Sequence, residues 1–244
     1  MIKLTHVDKQ YKEHHALADV SVEFPEHQTT VILGPSGAGK STLLRAINLL
    51  ERPQQGQMTI GDLTVDFAHP LSNKEVLAVR RKTAMVFQSW NLFPHLTILK
   101  NITAGPIHVL KQDPATAEKR ALALLEQVGL AKTAHRYPGQ LSGGQQQRIS
   151  ICRALAMDPY YILFDEPTSA LDPELEAQVL RVLQDLAKRQ NSMIVVTHNM
   201  EFARRVADQI VFVEDGRVEF AGTSAAFFNR PTERIAAFLD AMKF

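Results

Sequence analysis

The chain has 244 residues, with 27 basic and 26 acidic side chains and a formal net charge of +1, a balance that predicts no nucleic-acid partner. A single cysteine, Cys152, excludes an internal disulfide framework and suits a reducing compartment. No apolar run is long enough to span a membrane, and the first residues lack the apolar core of a signal peptide, so we expect a soluble cytoplasmic protein.

Alternating apolar and polar residues in the first part of the chain predict short strands of an antiparallel sheet. These strands are residues 2–7, 20–24, 57–60 and 63–67. Residues 30–33 form a continuous apolar run instead, which is typical of a strand buried on both faces. Further along, we interpret the basic cluster Arg80-Arg81-Lys82 as a solvated loop.

From residue 89 to residue 157 no stretch is typical of a strand, and apolar spacing over residues 116–128 predicts a helix. This part of the chain is interpreted as a helical insertion. The other predicted elements are, in chain order, strands at 83–87 and 161–164, an amphipathic helix at 174–188, strands at 193–197, 210–213 and 217–220, and a last helix around Ile235, Phe238 and Leu239.

A phosphate-binding loop is the strongest motif of the chain. The residues Gly34-Pro35-Ser36-Gly37-Ala38-Gly39-Lys40-Ser41 match G-x-x-x-x-G-K-S and lie between a predicted strand and a helix-like run, as that motif requires. Glycines let the backbone curl so that N–H groups point at phosphate oxygens, and the following helix adds its positive end. We expect Lys40 to reach the β- and γ-phosphates and the Ser41 hydroxyl to bind Mg²⁺.

Two carboxylates, Asp165 and Glu166, directly follow the apolar strand at 161–164. Ligands of parallel sheets bind at the carboxyl ends of strands, so we expect both near the phosphate loop. Asp165 is predicted to hold Mg²⁺, and Glu166 to orient or deprotonate the water that attacks the γ-phosphate. Taken alone, the pair could equally be an acidic turn after a core strand.

The segment Leu141-Ser142-Gly143-Gly144-Gln145 opens a helix and forms a second anion-binding cradle by the same physics. Since the chain has two cradles but one nucleotide motif, a consistent arrangement is a two-fold homodimer. In it, the second cradle of one chain closes on the ATP held by the other. This segment resembles the signature of the ATP-binding cassette (ABC) ATPases.

Further landmarks of that family, Tyr11, Gln88, Asp172 and His198, stand in family order across almost the whole chain. The resemblance implies that Tyr11 stacks on adenine, that Gln88 reaches Mg²⁺ and the attacking water, and that His198 contacts the γ-phosphate. The alternatives are a surface tyrosine and a structural histidine. The implied nucleotide-binding set is Tyr11, Gly34, Pro35, Ser36, Gly37, Ala38, Gly39, Lys40, Ser41, Thr42, Ser142, Gly143, Gly144, Gln145 and Asp172, with Ser41, Gln88 and Asp165 on the metal and Glu166, His198 and Gln88 in catalysis.

The resemblance also implies the fold, which is α/β. It comprises a P-loop NTPase core of parallel sheet flanked by helices, an antiparallel β subdomain, and an inserted helical subdomain that carries the signature. We expect one nucleotide-binding domain over residues 1–244, with the core and β subdomain in 1–88 and 158–244 and the helical subdomain in about 89–157. The chain departs from the family pattern at Asn199, where an acidic residue is frequent, and at Cys152, where alanine is usual.

A cassette of this length resembles the ATPase subunit of a bacterial importer. Residues 85–97 and 165–174 are similar to those of the polar amino acid uptake group, which includes arginine, glutamine, histidine and cystine systems. The resemblance therefore implies ATP hydrolysis that drives amino acid import. The alternative is an ABC ATPase of a non-transport membrane complex, such as those of cell division or lipoprotein release.

Importer subunits of this family imply partners on both sides of a membrane. The chain is expected to be peripheral on the inner face of the cell membrane, bound to integral permease subunits and only indirectly to an extracytoplasmic solute-binding protein. The apolar residues that follow Gln88 are predicted to receive a short helix of the permease. The alternative is that they cap the core of the helical subdomain. They are Trp90, Leu92, Phe93, Pro94 and Leu96.

Overall fold

In a computed structural model, the structure describes residues 1–12 and 14–242. The strands are β1 (Ile2–Tyr11), β2 (His14–Phe24), β3 (Thr29–Leu33), β4 (Gln55–Ile60), β5 (Leu63–Asp66), β6 (Thr83–Val86), β7 (Tyr161–Asp165), β8 (Met193–Val196), β9 (Gln209–Glu214) and β10 (Arg217–Thr223). The helices are α1 (Lys40–Ile47), α2 (Asn73–Lys82), α3 (Ile98–His108), α4 (Pro114–Gln127), α5 (Gly143–Ala156), α6 (Pro173–Lys188), α7 (Met200–Val206), α8 (Ser224–Asn229) and α9 (Glu233–Ala241).

A six-stranded sheet in the order β10-β9-β3-β8-β7-β6 forms the centre of the fold. Its strands pair in parallel except at the β10 edge. Alternate residues of β3 enter different cores, since Ile32 packs with α1 and α2 whereas Val31 and Leu33 pack with α6, α7 and α9. Both faces of the sheet are therefore covered, which explains why every residue of β3, β7 and β8 is buried.

A four-stranded antiparallel sheet in the order β2-β1-β4-β5 packs on the α1 side and shares its core. Ile2 pairs with Phe24 on one neighbour and with Ile60 on the other. The predicted antiparallel sheet is thus confirmed, but β2 begins at His14, six positions before the expected start. Irregular register between β1 and β2 breaks the simple alternation on which the sequence prediction depended.

Helices α3, α4 and α5 enclose a third, separate core. Ile98, Leu125, Ile149 and Cys152 are fully buried in it. Burial raises the pKa of the Cys152 thiol to about 12, so this cysteine is an inert core residue, as expected from its helical surroundings. Residues 89–157 contain helices and loops without a strand, in agreement with the predicted helical insertion.

The interpretation of Arg80-Arg81-Lys82 as a solvated loop is wrong, because these residues form the last turn of α2. Arg80 donates hydrogen bonds to the carbonyls of Asn48 and Leu49, and Lys82 donates to Asp62. Only two residues of α2 are buried, so its sequence carries too weak an apolar stripe to be recognised.

None of the helices formed by the described residues combines the length and apolarity needed to cross a bilayer.

Candidate active site

The phosphate loop connects β3 to α1, and glycine is required at two of its positions. Gly34 has φ 149°, and an added Cβ would lie only 2.0 Å from the carbonyl oxygen of Val213. Gly39 precedes the first residue of α1 with φ 100°, and a Cβ there would lie 2.2 Å from the carbonyl oxygen of Ala16. Neither position has the space or the backbone conformation for a side chain, so the loop depends on both glycines.

The ammonium group of Lys40 lies inside the loop. It is buried and donates hydrogen bonds to the carbonyls of Gly34 at 2.9 Å and Pro35 at 2.7 Å. Burial lowers the pKa of Lys40, and the nearby Glu166 carboxylate offsets part of that effect. The loop therefore holds a positive charge at its centre, where phosphate oxygens are expected.

Ser41 and Asp165 are brought together as the sequence predicted. The Ser41 hydroxyl donates to Oδ1 of the buried Asp165 at 2.7 Å. Arg45 of α1 donates to the other carboxylate oxygen through Nε at 2.9 Å and Nη2 at 2.8 Å. Sequence reasoning missed Arg45, although its position on α1 one turn after Ser41 is a signal that could have indicated it.

This pair of oxygen donors fits Mg²⁺, which accepts few protein ligands and retains bonds to water and phosphate. No group of three or more His, Cys, Asp or Glu residues that could hold a metal ion occurs within residues 1–12 and 14–242. A metal at Ser41 and Asp165 would thus depend on the nucleotide for further ligands. Gln88 lies in the turn after β6, which pairs in parallel with β7, so it follows the same edge of the sheet as Asp165.

Glu166 and His198 lie opposite each other at the ends of β7 and β8. His198 Nε2 is 3.0 Å from Glu166 Oε1. Glu166 has φ 47°, a left-handed conformation that is uncommon for a residue with a side chain, and its N–H donates to the carbonyl of Val196 at 3.0 Å. The backbone turn at Glu166 is therefore fixed by β8, the strand that leads to His198.

A cleft of about 310 Å³ lies over the phosphate loop. Two of its residues, His14 and Ala16, were missed by sequence reasoning, because they come from β2 and reach the cleft only through packing of the antiparallel sheet on the core. Its lining consists of Tyr11, His14, Ala16, Ser36, Gly37, Gly39, Lys40, Ser41, Thr42, Glu166 and His198.

Tyr11 lines this cleft, and the residue is 40% exposed. Burial, together with a hydrogen bond to Glu51, raises the pKa of its hydroxyl to about 12. The ammonium of Lys9 lies 4.7 Å from the ring centroid and covers one face of the ring. A base can therefore stack only on the other face.

The remaining predicted site residues lie elsewhere. Among the described residues that line the cleft there is none from the signature segment, and Gln88 and Asp172 are also outside it. Ser142 Oγ caps α5 by accepting from Gln145 N, and the Gln145 side chain accepts in return from Ser142 N through Oε1. Asp172 caps α6 by accepting a hydrogen bond from Leu175 N. Within one chain the second cradle is formed but does not meet the first.

The loop after Gln88 is held by two side chains. Arg153 of α5 donates to the carbonyls of Trp90 at 3.0 Å and Asn91 at 2.6 Å. The fully buried Asn101 donates to the carbonyls of Phe93, Leu96 and Thr97 and accepts from Phe93 N. The loop therefore has a defined shape in the isolated chain.

Some apolar side chains of this loop pack against the rest of the chain, and others are exposed to solvent. Leu92 packs against the helical core, as the alternative interpretation expects, and Leu96 is half-buried. The Trp90 ring lies against Gly143, where an added Cβ would be 2.9 Å away from it. Pro94 and Phe93 are exposed, the latter at 46%.

A phosphate loop and two carboxylates at the carboxyl ends of a parallel sheet define a P-loop nucleoside triphosphatase. Residues 17–169 match the family model described as ABC transporter. The chain therefore belongs to the ABC transporter family, as an ATP-binding and ATP-hydrolysing component, and the predicted family and enzyme class are confirmed.

Relatives and solved structures agree with this assignment. The chain is 48% identical over 242 residues to the probable amino-acid ABC transporter ATP-binding protein of Haemophilus influenzae, covering 98% of this chain and 94% of that protein. It is 50% identical over 240 residues to the glutamate transport ATP-binding protein GluA of Corynebacterium glutamicum, covering 98% of each. A dimeric ATP-binding cassette in a post-hydrolysis state with ADP and Pi has a TM-score of 0.80 and 37% identity, covering 92% of this chain and 99% of that one. The predicted fold class is confirmed.

Proposed function

We propose that this chain powers a bacterial importer of polar amino acids and that it acts as a homodimer with two ATP molecules at the interface. The observation that carries the proposal is the convergence of Lys40, Ser41, Asp165, Glu166 and His198 at one edge of the central sheet. The names of relatives that match over almost the whole chain support amino acids as the cargo. They favour import over cell division or lipoprotein release.

Hydrolysis follows from the placement of these side chains. Glu166 accepts a proton from water as the water oxygen attacks the γ-phosphorus. The bond between that phosphorus and the bridging oxygen breaks, and ADP retains the electron pair. Lys40 stabilises the charge on the phosphate oxygens, and His198 keeps the Glu166 carboxylate in place while contacting the γ-phosphate.

The metal ion that we propose for this site is Mg²⁺. Ser41 and Asp165 would hold it, and Gln88 would reach it from the turn after β6. When bound, Mg²⁺ neutralises charge on the β- and γ-phosphate oxygens. Arg45 keeps the Asp165 carboxylate oriented through its two hydrogen bonds.

A homodimer would complete the nucleotide site. The signature segment forms an anion-binding helix start, yet it lies outside the cleft of its own chain. In such a dimer, the signature segment of one chain, Ser142 to Gln145, would face the phosphate loop of the other, Gly34 to Ser41. Each of the two sites would then bind one ATP between the two segments. Asp172, which caps α6 beside the turn that follows Glu166, would then lie near the second chain.

We further infer that integral membrane permease subunits contact the loop at Trp90, Phe93 and Leu96. The exposed Phe93, flanked by the half-buried Trp90 and Leu96 on a loop with a fixed backbone, suits a groove that receives a short helix. The chain would then be peripheral on the inner face of the cell membrane, in the cytoplasm. An extracytoplasmic solute-binding protein would act on it only through the permease.

The chain would form one nucleotide-binding domain over residues 1–244. Residues 1–88 and 158–244 would contain the ATPase core and the antiparallel β subdomain, and about 89–157 the helical subdomain. The separate core of α3, α4 and α5 supports this division. Residues 13, 243 and 244 lie outside the described part.

Uptake of labelled polar amino acids in a strain lacking this chain tests the proposal. We expect uptake of at least one amino acid to be lost, then restored by the wild-type chain but not by Glu166→Gln. Normal uptake of every polar amino acid, together with defective cell division or lipoprotein release, would instead support the non-transport function.

A further inference from the structure

A single carboxylate, Glu176, connects the two loops that carry Glu166 and His198. Glu176 lies half-buried in the first turn of α6. Its Oε1 accepts a hydrogen bond from Thr168 Oγ1 at 3.1 Å and another from Asn199 Nδ2 at 3.1 Å. Thr168 is two residues after Glu166, and Asn199 directly follows His198. One side chain on a third element thus ties both loops together.

Each of the two loops is also held by further contacts of its own. Thr168 is buried, and Ser169 donates through Oγ to the carbonyl of Glu166 at 3.1 Å. Asn199 Oδ1 accepts from Phe202 N at 2.8 Å and so caps α7. The placement of Glu166 against His198 therefore depends on how these two loops lie relative to each other. Glu176 links the loops in addition to the hydrogen bond from Glu166 N to the carbonyl of Val196.

The link requires a particular pairing of acceptor and donor. Glu176 supplies acceptor oxygens only, and the Asn199 amide supplies the donor. An acidic residue at position 199 would place a second carboxylate against Glu176, and an ionised carboxylate cannot donate the hydrogen bond that the Asn199 amide supplies. The amide at position 199 is therefore matched to the carboxylate at position 176.

We propose that Glu176 is a positioning residue for ATP hydrolysis, which sets the placement of Glu166 against His198 through Thr168 and Asn199. The proposal rests on the ATPase function described above. It predicts that donor and acceptor can be exchanged between positions 176 and 199 with retention of activity.

The exchange is tested with Asn199→Asp, Glu176→Gln and the double variant, in steady-state ATP hydrolysis by the purified chain. Asp is as good a helix cap as Asn, so α7 keeps its start. We expect Asn199→Asp alone to lower kcat roughly 10- to 100-fold by displacing the loops. The KM for ATP should stay within about twofold, because the phosphate loop and Tyr11 are untouched.

The double variant should recover, because the amide introduced at position 176 donates to the carboxylate introduced at position 199, and the carbonyl of that amide accepts from Thr168. We expect its kcat, and that of Glu176→Gln alone, within about fivefold of wild type, the difference between a charged and a neutral hydrogen bond. The matched control is Asn199→Asp with Glu174→Gln. Glu174 is exposed on the same turn but two residues away, so it does not face Asn199, and its removal should restore nothing.

Three results would overturn the proposal: a near-normal kcat in Asn199→Asp, a low kcat that persists in the double variant, or equal recovery with Glu174→Gln. If Asn199→Asp does not fold, Asn199→Ala, Glu176→Ala and their combination replace it. Their effects on kcat should then be clearly less than additive, and additive effects would contradict the link. A wild-type chain without ATPase activity would refute the proposed function itself, and the inference with it.

Discussion

The nucleotide cleft and the loop at residues 89–97, which follows Gln88, place their polar and apolar groups in opposite ways. In the cleft and directly beside it, charged groups such as Lys40 and Asp165 are buried and bonded to neighbouring residues. In the loop, Asn101 and Arg153 satisfy backbone carbonyls from inside, and the apolar side chain of Phe93 is exposed. The cleft is therefore suited to a small anion, and the loop to an apolar surface of another protein.

The two regions are also held in place by different parts of the fold. The cleft is held by the central sheet, where adjacent strands fix the positions of the residues that follow them. The loop is held by side chains from α3 and α5, which belong to the separate helical core. Changes in the loop should therefore affect partner binding while basal hydrolysis continues, and changes in the cleft should do the reverse.

The largest effect is expected for Glu166→Gln. Loss of the proton acceptor should reduce ATP hydrolysis by about 10² to 10⁴, the usual contribution of a positioned base. ATP binding should persist because the phosphate loop is intact, so ATP should accumulate in a dimer detectable by size exclusion. Glu118→Gln, an exposed carboxylate on α4, is the control and should hydrolyse normally. Near-normal turnover in Glu166→Gln would remove this residue from the role of base.

Phe93→Asp tests the loop as the contact with the partner. A charge at a buried aromatic contact costs at least about 2 kcal/mol, so permease binding should weaken roughly 30-fold or more. The isolated chain should stay soluble with near-normal basal ATPase, and Leu96→Asp should behave alike. Co-purification with the membrane subunits is the measurement.

The matched control for Phe93→Asp is Leu122→Asp. Leu122 is 42% exposed, close to the 46% of Phe93, but it lies on α4 outside the loop. It should keep the partner. Aggregation of both loop variants, or transport that continues with them, would contradict the docking assignment.

Tyr11→Ala should have an intermediate effect confined to the nucleotide. Loss of stacking on adenine is worth about 1–2 kcal/mol, which raises the KM for ATP roughly 5- to 30-fold. Tyr11→Phe keeps the ring and should change KM little, since the hydroxyl faces Glu51. Equal effects of the two substitutions would show that Tyr11 acts through its hydroxyl and not by stacking.

Asn101→Ala should have the smallest effect on chemistry. Its loss leaves several loop carbonyls and one N–H without their partner, which should lower the free energy of unfolding by about 1–3 kcal/mol. Partner affinity should fall by less than in Phe93→Asp, and the KM for ATP should not change. Denaturant unfolding and ATPase assays measure the two effects. A lowered ATP affinity would contradict the separation of cleft and loop.

The phosphate loop and the carboxylate pair could be predicted because their chemistry is local in sequence: Gly39, Lys40 and Ser41 must be adjacent, and Asp165 and Glu166 must end a strand. His14 and Glu176 could not be predicted in the same way, and only the place of Arg45 one turn after Ser41 could have indicated it. The positions of these side chains at the site depend on how elements that are distant in sequence pack together. The error at Arg80 arose because α2 has only a weak apolar stripe in the sequence, and the hydrogen bonds of Arg80 to carbonyls just after α1 are not visible there either.

The dimer is the central claim, and mixing a Lys40→Ala chain with a Ser142→Arg chain tests it most directly. Each variant alone should be almost inactive, because both of its composite sites carry a lesion. In the mixed dimer one site carries both lesions and the other carries none, so ATP hydrolysis should partly recover. Full heterodimer formation without any recovery would show that the two cradles do not share ATP between chains, and would contradict the account.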